Sequence, residues 1–495
     1  MRRGKSGQIT VFMALLLAAV VCLVSTCGES ARYEALRLRC LLASEAGAES
    51  VFAQYDSALW SNYGLLFFAC GDSDFAELDE EYLKYVTANA SSGGLLSGSD
   101  WTAVNIESAW ALCKVTAVEQ QGKVFRRSVE DYMEKSGLAS SAVSVFSVIS
   151  GISSSGELDI SSIEKKAKNT ASQLEESGGE AGDETVDEAQ QQYEASTAEE
   201  RREARNIFLG MVKDLTKWKR SGLLALVTDD ADISDEKYDT KDFPSKLSSS
   251  VKKEKHGELS TETVTDKILF REYAVHQLED YITSKGKDCS LEYVIAGKES
   301  DEANMKSVVK KLAALRFAAN SASFAASSTM KTKVDTMALL VAGAFGSPEL
   351  ADAVGAVIKA VWVLEETLAD VKTLLAGGKV PAAKKTSQWR TSLGMSLKEA
   401  YRTDSGDEGL SYEMYLRVLL TGVGIETASY RVMDMLQRKI RNIEPAFSFS
   451  NCVYGAKFCT KAGAGSIFPM LPGTVNTDLT QEVAYSYGQI NKYIE

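Results

Sequence analysis

A run of nineteen residues without a charge, residues 9–27, constrains this chain more than any other feature of its sequence. As an α-helix the run would be about 28 Å long, close to the roughly 30 Å thickness of a bilayer's hydrocarbon core. Lipid offers the backbone no hydrogen-bond partners, so a helix is the form in which a single segment can cross it. The run therefore predicts a transmembrane helix at residues 9–27, preceded by a short tail at residues 1–8.

The charges on the two sides of this run predict its orientation. Three basic residues precede the run, and a mixed flank with Glu29, Arg32 and Glu34 follows it. Because basic residues collect on the cytoplasmic side of membrane helices, we expect the tail inside the cell and everything after residue 27 outside. The expected location is therefore the cell membrane, with a single pass and a large extracytoplasmic part.

Three other interpretations of the amino end compete with a retained anchor. A cleaved secretory signal has a shorter apolar core, about 7–15 residues, and a small-residue exit, whereas this run is longer and ends in Cys27. Cys27 could carry a lipid, although Thr26 before it is a poor fit to a lipoprotein site. A buried core helix of a cytoplasmic protein is disfavoured by the basic cluster and the uninterrupted apolar run.

The helix is expected to continue beyond the membrane. No Pro or Gly cluster follows the apolar run, and Ala31, Ala35, Leu38, Leu42 and Ala46 recur at a spacing of three and four. This pattern predicts one rod of about fifty residues, half in lipid and half in a soluble domain.

Composition limits the possible partners and the fold class of the remaining chain. The net charge of −13 argues against nucleic acid as a partner, because binding phosphates requires a basic face. Only six prolines, with long tracts of Ala, Leu, Glu, Lys and Ser, indicate a mostly helical protein. Period-two patterns predict strands near residues 104–118 and 446–488. The predicted fold is mainly α (α+β), with a small antiparallel sheet.

The changes in pattern along the chain predict a domain organisation. After the transmembrane helix we expect a membrane-proximal helix with the first strands (28–119), a helix (120–152), an acidic insert (153–200), a helical bundle (201–440) and a β-rich end (441–495). The insert holds thirteen acidic and three basic residues and almost no aromatic ones. Such a segment buries little apolar surface, so we expect a solvated helix or a disordered insert.

The clearest helix of the sequence is predicted at residues 348–376. Ser347 suits the N-cap, Pro348 the first helical position, and Gly377 a left-handed end. Its apolar residues repeat at four-three spacing as a heptad seam, and they are Leu350, Val354, Val357, Val361, Leu364, Leu368, Val371 and Leu375. An intramolecular bundle with the preceding helix is favoured over an intermolecular coiled coil, which would make the protein self-associate.

One pair of cysteines is a candidate disulfide. In residues 452–459 (CVYGAKFC), a two-residue turn at Gly455 and Ala456 would place Cys452 opposite Cys459. Glycine at the first turn position suits a type II′ hairpin, and directly paired strand residues lie about 5.5 Å apart at Cα. That separation is within disulfide range, and an extracytoplasmic location would favour the bond.

The sequence contains no recognisable catalytic constellation. No nucleophile elbow, zinc-binding helix motif, dithiol motif or usable phosphate loop is present, and the chain has only two histidines, His256 and His276. We therefore expect no catalytic, cofactor-binding or metal-binding residues. Glu29 and Arg32, at the outer lip of the membrane, are the best candidates for an assembly contact, with a solvated helix surface as the alternative.

A resemblance extends over nearly the whole chain outside the acidic insert. The matching residues are 7–12 (GQITVF), 29–32 (ESAR), 55–56 (YD), 63–65 (YGL), 292–298 (EYVIAGK), Asn304, Leu315, Arg316, Asn320, 377–381 (GGKVP) and 412–417 (YEMYLR). With these residues the chain resembles an uncharacterised family of Gram-positive membrane-anchored proteins. Members of that family tend to be encoded with tight-adherence (Tad/Flp, type IVb-like) pilus genes, and their amino ends are similar to TadE/TadG-type pseudopilins.

The resemblance implies a minor pseudopilin or assembly factor of a pilus or secretion apparatus, which works through pilus or secretion-system proteins and brings no catalytic residues. One position departs from the prepilin pattern, because Phe12 stands five residues after Gly7, where type IV prepilins have Glu. This departure argues against processing by a prepilin peptidase.

Two functions of other classes remain as alternatives. The first is an exported lipoprotein-type enzyme or ligand-binding protein anchored at Cys27. The second is a helical signalling ectodomain, but a tail of seven or eight residues inside the cell leaves no room for an output module.

Overall fold

The structure is a computed structural model of the 495-residue chain. It describes residues 5–71, 74–90, 102–137, 158–176, 195–228, 233–247, 259, 261–394, 408–465 and 476–488. Within these ranges the chain is mainly helical and has one four-stranded antiparallel sheet, which confirms the predicted fold class.

The helices before the acidic insert are α1 (Lys5–Phe52), α2 (Ser57–Tyr63), α3 (Ala76–Ala90) and α4 (Glu119–Lys135). Those that follow are α5 (Ile160–Glu176), α6 (Ala198–Ser221), α7 (Leu223–Val227), α8 (Pro244–Leu247), α9 (Val264–Gln277) and α10 (Ser290–Ala296). The last five are α11 (Asp301–Ala326), α12 (Ser328–Ala344), α13 (Ala351–Leu375), α14 (Tyr412–Thr421) and α15 (Ile425–Ile440). The strands are β1 (Phe68–Ala69), β2 (Asn105–Thr116), β3 (Cys452–Gly465) and β4 (Asn476–Ser486).

Helix α1 is one uninterrupted helix of 48 residues, about 72 Å long at 1.5 Å per residue. This confirms the predicted rod. Its amino-terminal half presents apolar side chains that no described part of the chain covers, whereas Leu36, Cys40 and Val51 in its second half are fully buried. The two halves of one helix therefore lie in different surroundings.

Strand β3 is the centre of the sheet. It pairs antiparallel with β2 along one edge, and with β1 and β4 along the other. The strands predicted near residues 104–118 and 446–488 are confirmed, the latter region giving two strands. Irregular register in β2, at three places, leaves its alternation of apolar and polar residues imperfect.

Aromatic packing joins α1 and α3 to one face of this sheet. The Phe458 ring of β3 stacks on Tyr82 of α3, with centroids 4.1 Å apart, and meets Phe52 of α1 edge-on at 6.1 Å. Phe52 also stacks on Tyr485 of β4 at 5.1 Å. Burying each such ring contributes about 1.5–3 kcal/mol, so these contacts fix the end of α1 to the sheet.

A buried hydroxyl chain adds a polar connection at the same place. Ser44 Oγ donates to Thr460 Oγ1 at 2.9 Å, and the Tyr82 hydroxyl lies 2.7 Å from the same oxygen. All three side chains are buried, and burial raises the pKa of Tyr82 to about 12. The hydrogen bonds satisfy groups that would otherwise destabilise the core.

The chain folds as two compact units, each assembled from separate segments. The first unit contains Met1–Ala139, Lys241–Asp266 and Val432–Glu495, and the second contains Ser140–Thr240 and Lys267–Arg431. The predicted bundle of residues 201–440 therefore needs correction, because parts of it belong to the sheet-containing unit. The predicted helix at 120–152 is described only as α4, and residues 138–157 lie outside the described part.

Helix α13 is the central element of the second unit. It packs against α11 and α12, and further against α5, α6 and α7. Helix α13 packs closely on α12 at Gly355. A Cβ added to Gly355 would lie 3.5 Å from the Cβ of Ala338. Most residues of α13 from Val354 onward are consequently buried.

Part of the acidic insert is a helix, which is one of the two forms expected, but one face of this helix is buried rather than solvated. Helix α5 lies within residues 153–200 and buries Glu164, Ala167, Thr170 and Leu174 at a spacing of three and four. These four residues are enough to hold α5 in place because the face that they form packs on α6 and α13. Residues 177–194 of the predicted insert lie outside the described residues.

Candidate functional site

The amino-terminal half of α1 is the candidate membrane segment. Within the described ranges, one helix is long and apolar enough to cross a membrane, at Gln8–Phe52. Its most apolar stretch has mean hydropathy 2.6 and is 0% buried within the chain. Exposed residues of this stretch include Ile9 (64%), Leu15 (66%) and Val24 (63%). A large exposed apolar surface of this kind marks an interaction with lipid or protein.

Glu29 and Arg32, predicted as a membrane-lip contact, form an ion pair. Arg32 Nη1 donates to Glu29 Oε1 at 2.8 Å, as their i,i+3 spacing on α1 allows. Both side chains are largely covered, with 15% and 10% of their surface exposed. The second oxygen of Glu29, Oε2, is buried and has no hydrogen-bond partner among the described residues. Whether the pair contacts other proteins stays a prediction.

The heptad seam lies inside the second unit. Leu350 is half-buried in a 3₁₀ turn (Pro348–Leu350) that precedes α13, and the α-helix itself begins at Ala351, slightly later than predicted. Gly377 has φ +85° and gives the helix its left-handed end, as expected. The seven other seam residues are buried in α13, and they are Val354, Val357, Val361, Leu364, Leu368, Val371 and Leu375. Their burial favours the intramolecular bundle.

The predicted disulfide is wrong. Cys452 and Cys459 lie on one continuous strand, β3, and both thiols are free. Seven residues of strand span about 23 Å, whereas a disulfide requires a Cα separation below about 7 Å. The predicted turn does not form because β2 and β4 both bond to β3 there, with Gly455 opposite Val115 and Ser486.

A buried cluster of four charged side chains, which was not among the predicted sites, lies in the second unit. Arg316 of α11 donates to Asp370 Oδ2 of α13 through Nη2 (2.9 Å) and Nε (3.1 Å). Lys384 donates to Glu366 Oε1 and to Asp370 Oδ1. Each of the four side chains is at most 1% exposed, and two cations balance two carboxylates.

The segment after α13 is held to the helices by this cluster. Arg316 Nη1 donates to the carbonyl oxygens of Pro381 (2.9 Å) and Ala382 (3.1 Å), and lies 2.9 Å from the hydroxyl of Tyr415 on α14. The Glu366 carboxylate accepts from the backbone N–H groups of Arg390 and Thr391 at 3.0 Å. The charged groups thus bind three helices and the intervening loop into one arrangement.

Three acids elsewhere lack a fully compensating cation. Glu292 is fully buried, and its Oε1 accepts from Tyr281 N–H (2.9 Å) and Tyr412 hydroxyl (2.8 Å), yet burial raises its pKa to about 8. Burial and the nearby Asp214 raise the pKa of Glu365 to about 8. In the first unit, burial and then Asp266 raise the pKa of Glu130 to about 7.

Raised pKa values are one property of catalytic acids, and the groups around these carboxyls decide what they can do. Burial raises the pKa of the Cys289 thiol near Glu292, which makes that thiol a poor nucleophile. Among the described residues, no three His, Cys, Asp or Glu side chains are grouped so that they could hold a metal ion. The contacts of the described clusters are hydrogen bonds and ion pairs between groups of the protein.

Several residues quoted for the resemblance meet in these clusters. Arg316, Asn320 and Tyr415 contact the four-charge cluster, and Glu292 accepts from Tyr412. Their polar or charged character at otherwise apolar helix positions was the available signal. The partners Glu366, Asp370 and Lys384 could not be assigned from the sequence, since each is separated from Arg316 by at least fifty residues.

The fold and these sites define a mainly helical protein with one amino-terminal helix that is long and apolar enough to span a membrane. The chain belongs to a family of unknown function, DUF5702, whose profile matches residues 198–464, more than half of the chain. No curated protein and no solved structure matches the chain.

Proposed function

We propose that this protein is a non-enzymatic, membrane-anchored extracytoplasmic component of a tight-adherence (Tad/Flp)-type pilus or secretion apparatus. In this role it is a minor pseudopilin or an assembly factor, and its partners are the membrane and pilus or secretion-system proteins. The proposal combines the architecture of α1 with the resemblance of the amino end to TadE/TadG-type sequences.

One observation carries the proposal. Helix α1 runs without a break from an uncovered apolar half to a half that packs on an antiparallel sheet. A helix anchored in lipid and continued into a sheet-bearing domain suits a subunit that assembles at the membrane surface. The buried charges of the second unit support this role, because they fix how the helices of a scaffold meet.

The assembly role is tested by capture of partners from cells that carry the native gene. Full-length tagged protein is cross-linked in intact cells, purified in detergent and analysed by mass spectrometry. We expect pilus or secretion-system proteins to co-purify in specific, cross-link-dependent amounts. Their absence from a sample that contains the folded, membrane-bound protein would refute the proposal.

The ion pair on α1 offers a matched comparison for the same experiment. Glu29→Ala removes the partly covered carboxylate, and we expect it to reduce capture several-fold if this surface contacts the assembly. Glu302→Ala removes the acid of an exposed i,i+4 pair with Lys306 and should leave capture unchanged. Equal capture by both variants would exclude Glu29 from the contact.

The lipoprotein alternative depends on Cys27, which is exposed on α1. Lipidation there would require cleavage of α1 before Cys27 and loss of the apolar segment. We expect the wild type, Cys22→Ala and Cys27→Ala to have the same apparent mass on gels, and globomycin to leave the mass of the wild type unchanged. A wild type that is smaller than Cys27→Ala, and that globomycin enlarges, would favour the lipoprotein.

A further inference from the structure

A half-open cavity of about 240 Å³ in the first unit has four aromatic side chains among its ten lining residues. Tyr132, Tyr454 and Tyr487 line it together with Trp60. Trp60 is 45% exposed and Tyr454 only 1%, so the indole stands at the mouth of the cavity. The volume is below the roughly 300–1,000 Å³ of pockets for drug-sized molecules, so it fits one small chemical group.

The short helix α2 builds one wall of this cavity. Asp56 caps the helix by accepting from Leu59 N–H at 2.7 Å, and Gly64 ends it with φ +68°. A Cβ on Gly64 would lie 2.1 Å from Tyr132 Cε2, so the tyrosine ring lies directly against the glycine. Glycine at this position therefore both ends α2 and admits the ring.

The tyrosine hydroxyls nearest the sheet are already used by the protein. Tyr454 donates to Asp131 Oδ2 at 2.7 Å, and Tyr487 donates to the carbonyl oxygen of Phe52 at 2.6 Å. Because its hydroxyl is engaged, the half-buried Tyr487 ring offers a ligand mainly carbon and π surface, and the buried Tyr454 ring closes the cavity beneath it. Such a surface attracts cations through the negative face of the ring.

A negative charge lies in the same wall. Asp131 lines the cavity, and its side chain is 20% exposed. Arg127 Nε lies 4.0 Å from its Oδ1, which leaves the carboxylate only loosely paired with that guanidinium. Lys135, also in the lining, is exposed and one helical turn further along α4.

We propose that this cavity binds a methylated or quaternary ammonium group, with aromatic rings as its walls and Asp131 as its counter-charge. Aromatic cages of this composition bind such cations because the positive charge is spread over methyl groups that contact the ring faces. A strongly hydrated ammonium would lose more hydration on entry. The inference is independent of the pilus assignment, since it concerns the chemistry of one cavity.

The test compares two molecules of nearly the same shape that differ in charge. Full-length protein in a maltoside detergent is titrated with choline or with its neutral carbon isostere, 3,3-dimethylbutan-1-ol, and binding is followed by saturation-transfer NMR and calorimetry. We expect choline to bind and the alcohol to bind at least about tenfold more weakly. Equal binding of the two, or no binding of choline, would overturn the proposal.

Variants locate the binding in the cavity. Trp60→Ala and Asp131→Asn should each weaken choline binding by about fivefold or more, and Trp60→Tyr should retain most of it. Trp110→Ala is the matched control, because Trp110 is a partly buried tryptophan of β2 that already has Lys461 over its ring. Choline affinity unchanged in folded Trp60→Ala protein would place the site elsewhere and refute the assignment.

Replacing Lys135 should have the opposite effect on choline affinity. Its ammonium repels a cation at the cavity, so Lys135→Met should strengthen choline binding and leave binding of the neutral alcohol unchanged. A gain in affinity for both molecules would indicate a purely apolar effect and would contradict the proposed role of charge.

Discussion

Arg316 carries a positive charge in a place that water does not reach, and its side chain is only 1% exposed. Moving such a group out of water costs several kcal/mol, which its pair with Asp370 and its bonds to backbone carbonyls offset. Buried ion pairs often contribute little net stability, but leaving one of the charges buried without its partner is strongly destabilising. The cluster therefore fixes which helices meet more than it adds to the total stability.

Removing one charge of the cluster should be costly. Arg316→Met leaves buried carboxylates with a single cation, and we expect the free energy of unfolding of the second unit to fall by about 3–5 kcal/mol. Urea unfolding followed by tryptophan fluorescence measures it. Lys306→Met, in an exposed pair with Glu302, should cost at most about 1 kcal/mol. Similar losses for both variants would contradict the role of burial.

Glu365 predicts a dependence of stability on pH. Its folded-state pKa, about 8, lies above the ordinary value of 4.5, so the folded chain holds the proton more tightly than the unfolded chain. This stabilisation is complete below pH 4.5 and is lost as the pH rises towards 8, at up to about 1.4 kcal/mol per pH unit. Unfolding of wild type and Glu365→Gln should therefore differ more at pH 8 than at pH 5, with the variant the more stable at pH 8.

The exposed acid Glu349 provides the control for this experiment. Glu349→Gln should follow the wild type at both pH values, because its carboxyl lies in solvent. A Glu365→Gln protein with the wild-type pH profile would mean that this carboxyl ionises normally in the folded state.

At the scale of single elements, α1 permits a comparison within one helix. Leu16 and Val20 are exposed in its apolar half, and Leu38 is exposed in its second half. An arginine at the centre of a membrane helix costs about 2.5–3.5 kcal/mol, so Leu16→Arg with Val20→Arg should move the protein out of the membrane fraction. Leu38→Arg should not, and fractionation of cell lysates distinguishes the two results.

The loop that follows α13 contains a glycine whose replacement should destabilise the second unit. Gly409 has φ +130°, and a Cβ there would lie 2.4 Å from the Val380 carbonyl carbon, next to the backbone bridge between Val380 and Leu410. Gly409→Ala should destabilise the second unit by about 2–4 kcal/mol. Gly210→Ala, at an open site within α6, should be neutral or stabilise by up to about 1 kcal/mol in the same urea assay.

The spacing of apolar residues predicted a helix or strand correctly where one face of that element packs against a single neighbouring surface. The rod, the seam and the strands near 104–118 and 446–488 all follow this rule. The hairpin at residues 452–459 was predicted wrongly because a local turn signal at Gly455 was outweighed by two partner strands. Contacts such as Arg316 with Asp370 join residues 54 positions apart, and no local pattern specifies them.

At the scale of the whole molecule, the charges around the apolar run predict that residues after 27 lie outside the cell. Lys306→Cys places a thiol at an exposed position of α11, and Lys5→Cys places one before the apolar run. We expect a membrane-impermeant maleimide to label the first and not the second in intact protoplasts, relative to the wild-type background. Labelling of Lys5→Cys alone would mean the opposite orientation.

The continuity of α1 has a mechanical consequence. No hinge separates the part of the helix suited to lipid from the part fixed to the sheet. Membrane helices tilt by about 20° on average and adjust this angle to bilayer thickness. Over the roughly 36 Å from residue 28 to residue 52, such a tilt displaces the far end sideways by about 12 Å. In a bilayer of different thickness, the helix would tilt by a different angle and the sheet fixed to its far end would move sideways with it.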